Sequence, residues 1–307
     1  MKNRRKFLLD VGKSALVASS VFLQPGCSSN NPATSRKQHP FIGTQLYAWG
    51  QYYERDGKNI SQHLPEALGA IRDAGFEYAE GSVNLAQPDE NGRFAGQLRE
   101  RGLKPVSLYS GGKFHVVADA EKVLSQLLKA ADLCSKEGFL IFNVNPDPVG
   151  REKTDRELEI QLRYLKLLGA ELKKRDIALG IHHHTPEMLN GAREFHFNFR
   201  NSTPELLGFC YDVHWVFRGG LAPMTVLEEY SERIVSWHLR QSREQIWWET
   251  LDTGDINYQE IAAFARKKNL PGFYTLELAL ETGTKITRSV VENHRRSREY
   301  IRQVFKA

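Results

Sequence analysis

Thiols are scarce in this chain, with three cysteines among 307 residues: Cys27, Cys134 and Cys210. Cys134 and Cys210 lie inside apolar segments, and a disulfide framework cannot be built from one such pair. Long apolar runs are missing too. The greasiest stretch, 8–23, still carries Asp10 and Lys13 and is too short and too charged for a membrane span. A GxGxxG phosphate turn is lacking where an open doubly wound sheet would place it, because the first apolar run leads into TQLYAWGQYY. No repeat of 20–50 residues and no low-complexity tract follows residue 40. An excess of charge is lacking as well. The formal net charge is +5, yet residues 1–40 hold seven Lys/Arg against Asp10, which leaves 35 basic and 36 acidic residues over 41–307. That near-neutral body has no counterion-release drive toward nucleic acid, so a nucleic-acid partner is not expected.

What is present at the N-terminus reads as an export signal. Arg4 and Arg5 precede Phe7-Leu8 and a modest apolar region, which resembles a bacterial twin-arginine leader. Cys27 stands in LQPGCSSN, similar to a lipoprotein cleavage box except that Gln24 and Pro25 replace the usual aliphatic and small residues. The expected organisation is a signal over 1–27, a polar tether over 28–40 and one folded domain over 41–307. The product would be periplasmic, either lipid-anchored through Cys27 or soluble after cleavage nearby.

From residue 41 short apolar runs alternate with helical stretches. Strands are expected at 41–47, 76–83, 104–110, 139–145, 177–183, 206–212, 234–240 and 272–278, with a helical stretch between each and the next. Eight such units in 267 residues predict a single-domain α/β protein, a (β/α)₈ TIM barrel of close to the usual size of about 250 residues.

Barrel enzymes assemble their sites at the carboxyl ends of the strands. Those ends carry Glu80, Tyr109, Asn143, Asn145, His182, His184, Glu187, Asp212, His238 and Glu277. The fifth strand runs into IHHHTPE, and period-two alternation aims His182 and His184 at one face and His183 at the other. A solvated histidine cluster is the competing reading of that segment alone. Several carboxylates meeting in one mouth repel one another unless a cation neutralises them. Mixed Asp/Glu/His donors without a thiolate suit one divalent ion: Mn²⁺, Mg²⁺, Co²⁺ or Zn²⁺. The expected ligands are Asp212, His238, Glu277 and one donor from the fifth strand.

The segments IALGIHHHTPE, GFCYDVHWVFRGGLAPMTVLEEYSERIVSWHLR, TGDINYQEIAAFARKKNLPGFYTLELA and RRSREYIRQVF, in that order, resemble the sugar phosphate isomerase/epimerase family with its xylose isomerase-like barrel. Over 41–176 the likeness is carried by rhythm and by GFEYAEG, whose Glu80 matches a common strand-two carboxylate. The resemblance implies one divalent metal held by Asp212, His238, Glu277 and a fifth-strand group, with Glu187 preferred and His182 as the substitute. It implies a small sugar as substrate and proton abstraction next to a carbonyl through an enediolate, ending in epimerisation, isomerisation or β-elimination. Glu187, Glu277, His184 and His182 are then the candidate bases. Glu80, Trp215, Arg218, Arg240 and Trp248 are the candidate substrate contacts. The chain departs from the family at His183, which stands for Asn, at Arg240 and Gln241, which stand for Lys and Asp, and at Trp215, where ketose epimerases carry a histidine. No phosphate cradle is visible, and because phosphorylated sugars are scarce outside the cytoplasm the expected substrate is an unphosphorylated keto-sugar, keto-glycoside or keto-cyclitol. A metal-dependent phosphodiesterase of the apurinic-site endonuclease kind is the rival enzyme, and the near-neutral body speaks against it. A silent carbohydrate-binding barrel is the non-catalytic rival.

Overall fold

The computed structural model describes residues 40–307; the expected signal, Cys27 and the tether up to residue 39 lie outside the described residues. Eight strands, Phe41–Gln45, Tyr78–Ser82, Ser107–Gly112, Ile141–Pro146, Ala178–Ile181, Gly208–Asp212, Ile234–Leu239 and Phe273–Leu276, close into one barrel. Every neighbouring pair is parallel and the order follows the chain, as βα repetition demands.

The helices pack outside because their apolar residues recur at helical spacing. Asp155–Lys173 buries Leu158, Leu162, Leu165, Leu168 and Leu172 along one stripe, and its start is fixed by reciprocal Thr154–Glu157 capping. No helix among the described residues is long and apolar enough to cross a membrane.

The third strand starts at Ser107 rather than 104 and the fifth ends at Ile181 rather than 183, and two further stretches differ more in kind. The first strand stops at Gln45, and Leu46–Arg55 is a helix burying Ala48, Trp49, Tyr52 and Tyr53, a spacing that a pleated strand cannot put on one face. After the fifth strand, Thr185-Pro186 opens the helical segment Thr185–Arg200, since proline suits the first helical turn. That segment is broken at 189–192, where Asn190, Gly191 and Ala192 take positive φ. Between the seventh and eighth strands the chain also folds a two-residue hairpin, Ser242–Arg243 against Ile246–Trp247.

Candidate functional site

Parallel register brings the later strand ends together. Asp212 lies beside His238 across the sixth and seventh strands, and Glu277 follows the eighth strand with its N–H donating to Leu239 O at 3.0 Å. With His182 they form a group whose ligand atoms all lie within 4.8 Å of one another, and none of the four residues is more than 7 % exposed. His182 Nε2 is 3.4 Å from Asp212 Oδ2, and His238 Nδ1 is 3.2 Å from Glu277 Oε2.

These residues fit a divalent cation. His182 Nε2, Asp212 Oδ2 and His238 Nδ1 are buried without a hydrogen-bond partner, a costly state that one shared ion would relieve. Two imidazoles with two carboxylates suit a borderline-hard divalent metal. Burial, with His184 and His238 nearby, drives His182 well below the ordinary histidine range, so its lone pair is available. Its Nδ1 faces Asn145 Oδ1 at 3.4 Å, which orients the ring. Burial pushes Asp212 up to about 6 against the pull of Arg240. Glu277 goes the other way: burial is outweighed by Arg240 and His238, which hold it down at about 2.

The alternation read along the histidine run holds. His182 and His184 face each other with ring centroids 4.7 Å apart, while His183 packs between Phe195 and Phe209. His184 also meets Trp215 edge-on, and burial leaves it at about 4, neutral near pH 7.

Three expectations change. Glu187 is not among the four grouped donors. Its position in the first turn of the new helix turns Oε2 back to accept from His184 N–H at 2.7 Å, so His182 takes the fifth-strand place. Glu80 stands against a member of the donor group. It is fully buried under the group, 2.9 Å from His238 Nε2. Trp248 faces an outer cavity of about 590 Å³ lined by Arg243, Arg288, Arg295 and Arg296, and it is Trp247 that meets Trp215 at the mouth.

Of the two candidate anion partners, Arg240 lies buried with Nη2 3.0 Å from Glu277 Oε1 and 3.6 Å from Asp212 Oδ2, its guanidinium over Trp247 at 4.1 Å. Arg218 is held by both oxygens of Glu281 at 2.9 and 2.7 Å, and Trp247 N–H donates to the same carboxylate. The roles of Glu281 and Asn145 escaped the sequence reading, whereas Trp247 is, with Trp215 and Trp248, among the tryptophans the sequence offers as faces for a sugar ring. Asn145 sits at a strand end and was visible as a candidate, whereas nothing local marks Glu281, 63 residues from Arg218.

Glu187 carries a testable consequence. Burial raises it to about 7, so its neutral form is the one the fold accepts; that contribution is complete below its ordinary value of 4.5 and is lost as pH rises through 7. Glu187→Gln is therefore expected to match the parent in thermal midpoint at pH 4 and to exceed it at pH 8, by on the order of 3 kcal/mol in stability.

A family profile described as xylose isomerase-like TIM barrel matches residues 68–304. The chain belongs to that family. The match reaches well upstream of 177, where the sequence resemblance was carried mainly by rhythm. Among solved structures, this xylose isomerase-like barrel is similar to a sugar phosphate isomerase/epimerase from Parabacteroides distasonis, at 21 % identity and a TM-score of 0.68 over 87 % of this chain and 95 % of that one. It is similar to a D-allulose 3-epimerase from Methylomonas sp. in complex with D-allulose, at 13 % identity and a TM-score of 0.66 over 87 % and 98 %. It is also similar to 3-keto-D-glucoside 4-epimerase from E. coli, at 13 % identity and a TM-score of 0.63 over 86 % and 100 %. At these identities the likeness establishes the fold. No curated protein matches the chain.

Proposed function

We propose that this xylose isomerase-like barrel is a divalent-metal-dependent isomerase or epimerase that moves a proton next to the carbonyl of an unphosphorylated keto-sugar or sugar derivative. The observation that carries this reading is the convergence of His182, Asp212, His238 and Glu277, with unpartnered atoms on the first three, at the mouth of the barrel. A divalent ion bound there would polarise a carbonyl and stabilise negative charge on its oxygen.

The chain's own groups supply the rest. His184 presents a neutral imidazole between His182 and Trp215 and is suited to accept the α-proton, giving an enediolate; Glu277 is the second candidate for proton transfer. Arg240, fixed beside Glu277, places a permanent positive charge where substrate oxygens gain negative charge. Trp215 and Trp247 offer apolar faces to a sugar ring. An uncharged substrate is supported by Arg218, which both oxygens of Glu281 take up, whereas Arg240 pairs with Glu277 but keeps Nε and Nη1 without an acceptor. The similar solved structures named for D-allulose 3-epimerase and 3-keto-D-glucoside 4-epimerase support keto-sugars and keto-glycosides as the class to try first.

One observation favours a second outcome of the same chemistry. The two proton-transfer candidates are unlike, an imidazole and a carboxylate, which suits removal of a proton by one and protonation of a leaving group by the other, a β-elimination. The leader, with Arg4, Arg5 and Cys27, supports our placing this reaction outside the cytoplasm.

The test is deuterium uptake from D₂O into a panel of free keto-sugars and 3-keto-glycosides, followed by mass spectrometry with Mn²⁺, Co²⁺ or Zn²⁺ supplied. Uptake is expected in the parent and is expected to vanish in Asp212→Asn and His238→Ala. Uptake unaltered in both variants overturns the site assignment, and a released alcohol identifies elimination.

A further inference from the structure

We infer that Glu80 is a positioning residue of the metal centre: its carboxylate fixes which nitrogen of His238 is left open to the ion. This rests on the proposed function only in taking the four-donor group to bind a divalent metal.

Glu80 is buried to 0 % exposure on the second strand. Its charge is nevertheless well supplied with donors. Gln45 Nε2 donates to Oε1 at 3.1 Å, while Ser107 Oγ and Asn143 Nδ2 donate to Oε2 at 2.8 and 2.7 Å. Asn143 is itself oriented by Ser236 Oγ, which donates to its Oδ1 at 2.7 Å. Side chains from the first, third, fourth and seventh strands thus hold one carboxylate beneath the mouth. The fifth strand makes room for them, because a Cβ on Gly180 would stand 2.4 Å from Asn143 Oδ1.

The held oxygen, Oε1, lies 2.9 Å from His238 Nε2, and the other ring nitrogen, Nδ1, faces Glu277 Oε2 at 3.2 Å. A neutral imidazole carries one N–H, and a carboxylate can only accept. Each nitrogen thus faces a carboxylate, but an ion shared with Glu277 would take Nδ1, so the one remaining proton belongs on Nε2, against Glu80. Without Glu80 the ring is free to take the other tautomer, which blocks the ligand position.

The experiment titrates the chelator-stripped full chain with Co²⁺ and follows the visible absorption of the bound ion. Glu80→Gln keeps the size and removes the charge. It is expected to weaken Co²⁺ binding about 10- to 100-fold and to shift the absorption bands, with the far-UV circular dichroism of the stripped protein unchanged. Should Glu80→Gln not fold, Asn143→Ala removes a donor from Oε2 without touching His238, and it too must weaken Co²⁺ binding. Unchanged Co²⁺ affinity in the folded variant overturns the inference, as does a raised KM for a keto-sugar with Co²⁺ affinity intact, the signature of a substrate contact. A parent that binds no Co²⁺ overturns the functional reading as well. A parent that binds it equally with and without Glu80 leaves that reading standing and removes only this one.

Discussion

Glu277→Gln is expected to slow solvent deuterium exchange into the substrate by about 10²- to 10⁴-fold even with the divalent ion at saturating concentration. Two losses combine. The amide cannot accept a proton, and it removes one of the two negative charges in the donor group. Its carboxylate is 3.2 Å from His238 Nδ1 and 3.0 Å from Arg240, so the substitution also leaves the guanidinium facing Asp212 alone, at 3.6 Å. Titrating the ion separates the effects: recovery of parental exchange at high metal would assign Glu277 to binding only. A deficit that persists at saturation places it in proton transfer. Exchange equal to the parent at every metal concentration would remove Glu277 from both roles.

Arg240→Met is expected to destabilise the metal-free protein by about 3–5 kcal/mol, because breaking a buried ion pair strands the charges that remain. For a domain of this size that is a drop of about 6–20 °C in thermal midpoint. The pH dependence has a definite sign. Glu277 is held down at about 2 by Arg240 and His238 despite its burial, so the stability it contributes is present above its ordinary 4.5 and lost as pH falls through 2. The penalty of Arg240→Met should accordingly grow as pH rises from 2 and keep growing through 6, where Asp212 also ionises. Added Co²⁺ or Zn²⁺ should raise the midpoint more in the variant than in the parent, since the ion takes over the missing countercharge. Equal midpoints at pH 7 in metal-free buffer would show that Arg240 does not neutralise these carboxylates.

All eight strands were legible because each is a compact apolar run bounded by turn residues, and a barrel buries both faces of every strand. Asp212, His238 and Glu277 were legible because each ends such a run. The choice between His182 and Glu187 was harder. Strand alternation favoured His182, but the family likeness pulled toward the carboxylate. The decisive local signal was helical: Pro186 and a glutamate in the first turn mark a helix start, where Glu187 serves backbone amides. Trp247 and Trp248 could not be told apart because the hairpin that turns one inward has strands of only two residues. Glu80 looked like a mouth residue from its place on the strand. That four side chains from other strands hold it below the metal group depends on barrel closure, which no local pattern encodes.

The Arg218–Glu281 pairing reaches beyond local stability. It ties the helix after the sixth strand to the segment after the eighth, and through Trp247 N–H and Gln245 O it also ties down the hairpin between them. Next to this tie Trp215 and Trp247 meet edge-on, and the Arg240 guanidinium lies over both rings. A single substitution at Arg218 or Glu281 would therefore undo three connections at once and release the segment that sets Trp247 beside Trp215.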